Sequence, residues 1–263
     1  MKTCRLCLSV SLLLVTHVHA QDAKTRTTMI GAGTSNVLET YLSQEEYQGP
    51  EFRIIRESGN RASRHSNRLR HHFINEGRFA FLQNRAENGD ELAGEYHFGY
   101  ALRRVWTHPS SLCFEAGGGP NAIIGFIYNT RNSNNPVQAH ASINISPAVA
   151  ASYDFHIKNR LLRLRYEASV PLAGLMFSPN YGQSYYEIFS RGDYDHNVVP
   201  TTFFSTPSLR QQLSLDIRFS RTKQKAPMLR IGYLGDYQQS KVNNLKYHNY
   251  AHLVVLGIVK TFE

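Results

Sequence analysis

Arg163, Arg165 and Glu167 follow one another at spacings of two. On an extended chain all three side chains leave from the same face. Even spacings likewise put Glu95 with His97 and Arg103, Arg70 with Glu76 and Arg78, and Arg210 with Asp216 and Arg218. Glu115 and Asp154 add acids on strands of their own. Ionisable groups gathered on one side of several strands can do two kinds of chemistry. Withdrawn from water, they satisfy one another as ion pairs and hydrogen bonds. Lining a hydrated path with arginine in excess, they form a constriction that selects anions. The first reading is preferred, with Asp154 and Asp216 as partners for Arg163 and Arg165, and the arginine excess keeps the second open.

Other groups invite sharper readings. His65-Ser66-Asn67 has the residue types of a lipid hydrolase, in which His activates Ser and an amide orients the His. Adjacent side chains on a strand point to opposite faces, however, which argues against a triad. The twelve histidines include the neighbours His71 and His72, but the rest are scattered and form no metal-ligand spacing. Gly117-Gly118-Gly119 could cradle phosphate, yet no strand-to-helix pattern follows, so a bend or bulge in a strand is expected instead. Arg61, Arg64, Arg68 and Arg70 make a basic turn suited to anionic headgroups. No catalytic, metal or cofactor site is expected, and the protein reads as no enzyme.

The elements that must position these groups are strands. From Ala139 to Ile157 the odd positions are apolar or small, as in Ile143, Ile145, Val149, Tyr153 and Phe155. The even ones are small or polar, as in His140, Asn144, Ser152 and Asp154. A period of two held this long exceeds the usual strand of about five or six residues. It fits a surface that stays apolar across a bilayer, which takes roughly 9–11 tilted residues. The pattern recurs. Candidate strands run over 25–35, 51–58, 69–83, 91–105, 112–129, 139–157, the stretch after Arg160, 209–220, 227–239 and 250–262. Ten strands, or twelve at most, predict an all-β, closed, antiparallel up-and-down transmembrane barrel. The connections near Tyr41, over 130–137 and over 179–206 fall at one end, and the tight Lys158-Asn159-Arg160 turn falls at the other.

Residues 1–20 read as a signal peptide: Lys2 and Arg5, an apolar core from Leu6 to Val15, and Val18-His19-Ala20 before a cleavage point at Gln21. Two of the three cysteines leave with it, so residues 21–263 form a barrel domain without an internal disulfide. Export removes nucleic acid as a partner despite a formal charge of +9. Outer-membrane lipids are the expected partners, with a second outer-membrane protein as the alternative. Such a protein would meet Tyr- and Asn-rich outer loops, whose candidate contacts are Arg131, Asn132, Asn134, Asn135, Tyr181, Tyr185 and Tyr186.

Four stretches carry a family resemblance: 128–136 (YNTRNSNNP), 176–189 (MFSPNYGQSYYEIF), 207–211 (PSLRQ) and 236–243 (DYQQSKVN). Through them nearly the whole mature chain resembles outer-membrane barrel proteins of Bacteroidota grouped as a domain of unknown function. The resemblance implies a barrel in the bacterial outer membrane and carries no activity. The leading expectation is a structural barrel or narrow channel. A receptor binding through its outer loops is the alternative, and a lipid hydrolase comes third.

Overall fold

Alternation along each chain segment dictates the architecture seen in the computed structural model. It describes residues 24–60, 69–109, 111–158, 160–220 and 226–262. The signal segment and the His65-Ser66-Asn67 group, with Arg61, Arg64 and Arg68, lie outside the described residues. In chain order the elements are β1 (Lys24–Glu39), β2 (Tyr47–Asn60), β3 (Leu69–Asn84), β4 (Asp90–Thr107), β5 (Leu112–Asn129) and β6 (Val137–Ile157). They continue with β7 (Arg160–Ser169), β8 (Ala173–Phe177), α1 (Tyr185–Phe189), β9 (Val198–Thr202), β10 (Leu209–Arg218), β11 (Met228–Val242) and β12 (Leu245–Phe262).

Ten of the strands close a ring in the order β1-β2-β3-β4-β5-β6-β7-β10-β11-β12, and β12 pairs back onto β1. Every pairing is antiparallel. Closure gives each ring strand a partner on both sides, which is what hydrocarbon demands of a backbone. Large apolar side chains point away from the axis, among them Ile30, Ile54, Ile124, Ile143, Val149 and Val254. No helix among the described residues is long and apolar enough to cross a membrane.

β8 and β9 form an extra hairpin at the end of the barrel that carries α1, here the loop end; the opposite, turn end carries the first residue of β1 and the last of β12. β7 and β8 both pair with β6, but Ser169 faces Ala148 while Ala173 faces Ile145. One residue is therefore bulged out around Val170-Pro171-Leu172. The bulge expected at Gly117-Gly118-Gly119 is absent, because β5 keeps one register with β4 and with β6 throughout that stretch. A Cβ on Gly117 would lie 2.0 Å from the Leu102 carbonyl oxygen, and one on Gly119 would lie 2.3 Å from that of Tyr100. These glycines permit close strand approach, which any side chain would block. The β11–β12 hairpin turns through Asn243 and Asn244, both at positive φ, as a two-residue turn with that geometry requires.

Candidate functional site in the barrel lumen

The inward positions of the strands fill the lumen in three layers. At the loop end Val37, Leu42, Tyr47, Ala80, Leu82, Ile127 and Tyr247 pack as an apolar cluster. His140 lies against the Tyr247 ring at 4.5 Å, with its Nε2 3.2 Å from a Glu39 carboxylate oxygen. Met29, Ile55, Ile74, Leu234, Leu253 and Val255 form a second apolar cluster on the wall made by β1, β2, β3, β11 and β12. β12 is thus apolar on both faces, which strict alternation does not anticipate.

The middle layer is ionic. Arg53 is 1% exposed at its side chain and lies 2.6 Å from each of Glu51, Glu76 and Asp236. Arg78 donates to Glu51 at 2.8 Å and approaches Glu95 at 3.4 Å. Arg210 on β10 meets Glu76 on β3 at 2.6 Å. Those two strands stand five places apart in a ring of ten, on opposite walls. Gln238 on β11 likewise donates to Glu95 on β4, again directly across, at 3.3 Å. The pairs span the interior. A barrel of this size has a lumen narrow enough for opposed side chains to meet.

Toward the turn end Arg103 donates to Glu167 at 2.5 Å, and Arg165 reaches Glu115 at 3.1 Å and Glu167 at 2.9 Å. Arg163 grips Asp154 through two hydrogen bonds of 2.6 and 2.7 Å. Asp216 stands in register opposite Arg163, as expected of a partner, but gives its hydrogen bonds to Arg230, accepting two at 2.6 and 2.9 Å. Arg70 turns inward onto Glu115, which removes it from the headgroup role expected of the basic turn. The Nε of Arg218 makes no hydrogen bond among the described residues. All of these groups except Arg103 and Glu167 line a vestibule of about 690 Å³ open at the turn end, while a cavity of about 130 Å³ sits beside the ionic layer near Glu76, Glu95 and His97.

A family model described as "Protein of unknown function (DUF3316)" matches residues 6–263. The chain belongs to this family. No curated protein matches it. Among solved structures it is similar to the outer membrane protease OmpT from Escherichia coli, at 5% identity and a TM-score of 0.50, over 92% of this chain and 97% of that one. It also aligns with the transport unit of the autotransporter AIDA-I from Escherichia coli, at 9% identity and a TM-score of 0.48, over 96% and 94% of the two chains. At such identity the OmpT likeness shows the fold alone: this DUF3316 protein has the fold of outer-membrane β-barrels.

Several network members escape a reading by spacing: Glu51, Arg53, Glu57, Arg230, Asp236 and Gln238. A signal exists on β2, where Glu51, Arg53 and Glu57 share a parity opposite to Phe52 and Ile54. Ile55 interrupts it because that inward position belongs to the apolar wall. Among the described residues no group of three or more His, Cys, Asp and Glu side chains could hold a metal. His71 hydrogen-bonds Tyr100 on the outer surface and His72 faces the vestibule, so the neighbouring histidines part company.

At the loop end the DUF3316 chain knits its connections together. Arg131 donates to Asn88 at 2.9 Å, Asn132 to the Leu42 carbonyl at 3.1 Å, and the Asn135 N–H to Asn132 at 2.9 Å. Ser184 and Glu187 form a capping box at the start of α1. Tyr185, expected as an outer contact, instead turns inward: its hydroxyl donates to Gln138 at 2.9 Å and accepts from the Ala139 N–H at 2.7 Å. Tyr181, Tyr186 and Asn134 remain exposed. Tyr41 donates to the Gln183 carbonyl at 3.0 Å, and burial, reinforced by Glu187 and Glu39, pushes its phenol up to about 12 from 10.0. Burial raises Tyr185 to about 12 as well.

A phenol whose folded pKa exceeds its unfolded value contributes stability that is whole below the unfolded pKa and is lost as pH rises through the folded one. Docking of the 178–197 connection should therefore hold up to about pH 10 and be lost toward 12. Subtracting the phenolate absorbance titration of Tyr41→Phe from that of the native chain isolates Tyr41. Its midpoint should fall near 12, and a midpoint near 10 would contradict the docked geometry.

Proposed function

We propose that this protein is a non-catalytic structural barrel of a bacterial outer membrane, in the Bacteroidota lineage that the sequence resemblance implies. On this reading it is exported by residues 1–20, cleaved after Ala20 and closed to solutes by its own charges. The observation that carries it is the Arg210–Glu76 pair at 2.6 Å between opposite walls, with Arg53 and Asp236 beside it. An anion-selective path would need that level open and hydrated. Instead each arginine there is met by acids, and an apolar cluster packs into the loop end. The longest described connection, 178–197, then faces outward, as in single-chain bacterial barrels with long outer loops.

Planar-bilayer recording tests this. The native protein should insert without conductance steps, while Glu76→Ala combined with Arg210→Ala should produce small ones by removing the crossing pair. Steady conductance from the native chain would replace the closed reading with the channel reading. Release of fatty acid from the same lipids would instead support a hydrolase.

A second reading has an observation of its own. Tyr181, Tyr186, Phe189 and Tyr194 at the loop end are each more than 60% exposed. Exposed aromatics gathered on one rim suit a partner-binding role. Loss of capture by a co-purifying outer-membrane protein in Tyr186→Ser with Phe189→Ser would support it.

A further inference from the structure

The outward wall distributes its charges very unevenly. On β1 the outward row begins Lys24, Arg26, Thr28 and then becomes apolar at Ile30. On β2 it descends through Phe52 and Ile54 to Arg56, and on β12 through Leu256 and Ile258 to Lys260. Four exposed cations on three neighbouring strands therefore stand at the turn-end edge of the apolar band. The outward rows of these strands contain no acid at all. Arg26 and Lys260 are direct cross-strand partners, and Arg56 lies one diagonal step from Arg26.

Like charges directly opposite on an antiparallel pair destabilise it. The inner lumen shows how this chain handles arginine when it supplies the counter-charge itself, placing an acid at 2.6 Å. Here no described carboxylate does so. The Arg26 guanidinium instead sits 5.7 Å from the Phe262 ring centroid, a ring-and-cation pair at the depth where headgroup and acyl chain meet. An external counter-charge suits this row, and at that depth the anion at hand is lipid phosphate.

We propose that Lys24, Arg26, Arg56 and Lys260 form a binding site for a diacyl phospholipid with an anionic headgroup, in the leaflet at the turn end of the barrel. Arg26 and Lys260 clamp the phosphate, and the chains lie along the Ile30, Ile54 and Ile258 wall. This rests on the membrane-spanning reading above. The site takes lipid and not a free anion, because the exposed apolar wall adjoining it adds chain contacts that a headgroup alone lacks.

Folded, detergent-solubilised full chain titrated with phosphatidylglycerol, with phosphatidylcholine, or with glycerophosphoglycerol tests the site, bound molecules being counted by native mass spectrometry. Phosphatidylglycerol should bind well above the other two. Arg26→Gln with Lys260→Gln should weaken it about thirtyfold, given roughly 1 kcal/mol for each basic residue near an anionic surface. Phosphatidylcholine, whose phosphate is neutralised by its own trimethylammonium group, should lose only a few-fold. The heat-modification shift on a gel monitors barrel folding separately, and without lipid the double variant should match or exceed the native chain because a repulsion is gone. Equal binding of the two lipids, unchanged phosphatidylglycerol binding in the variant, or equally strong binding of the chainless headgroup would each overturn the site. Loss of the gel shift in the native chain would instead count against the barrel reading itself.

Discussion

Arg53→Met is expected to lower stability by about 3–5 kcal/mol, the range for removing one partner of a buried ionic cluster. Glu51, Glu76 and Asp236 all lie 2.6 Å from Arg53, and the Glu51 side chain is fully buried. Without the guanidinium, the three carboxylates keep only Arg78 and Arg210 as cations. They must then repel one another or take up protons. The deficit should accordingly shrink on acidification, since protonated carboxyls no longer repel. Glu167→Gln offers a contrast. Glu167 holds Arg103 and Arg165 but is 21% exposed at its side chain, and its partner Arg165 lines a large open vestibule. Water can screen the loss there, and the amide keeps a hydrogen-bond acceptor, so a cost of about 1–2 kcal/mol is expected. Unfolding midpoints in urea, read by gel mobility in lipid vesicles, give both values. If Arg53→Met cost no more than Glu167→Gln, the middle layer would not be the dry plug described.

The barrel itself was legible because the apolar outward wall recurs strand by strand. A period of two therefore survives in ten segments, and β5 begins and ends where alternation puts it. Boundaries drift where that constraint lapses. β12 starts at Leu245 and not Tyr250, and β1 runs on to Glu39, because past the apolar band a strand is held by its ladder and not by lipid. Inward residues carry a weaker signature. The lumen accepts charge or apolar bulk provided partners exist across it, so Ile55 and Leu253 break the pattern while Arg53 hides beside them. Which acid serves which arginine depends on strands far apart in sequence, as Arg210–Glu76 and Arg230–Asp216 do. Spacing along one strand contains no information about its opposite wall. Tyr185 hides its hydroxyl from a sequence reading for a similar reason. An aromatic in a polar connection looks exposed until the packing of α1 against β6 is known.

Val149→Arg should impair assembly by about 2–4 kcal/mol, the cost of an arginine facing lipid near mid-span. Val149 points outward from β6, is 53% exposed, and stands between Ala116 of β5 and Ala168 of β7, with Ile143, Ile145 and Tyr153 along the same outward row. None of these neighbours offers a carboxylate, and snorkelling to either surface means crossing apolar rows. Ser152→Arg tests the other face of the same strand. Ser152 is inward, lines the vestibule of about 690 Å³ and is paired in register with Cys113 and Arg165. Its new guanidinium would meet the repulsion of Arg165, but in a hydrated space that also holds Glu115 and Asp154. A cost within about 1 kcal/mol is therefore expected. Folding yield into vesicles, scored by the heat-modification shift, compares the two directly. The decisive quantity is the difference between two substitutions three residues apart, which cancels any general penalty for placing arginine on β6. Equal tolerance would mean that the Val149 face is not in lipid, and the assignment of outside and inside would fail for the whole ring, since β6 shares its register with β5 and β7.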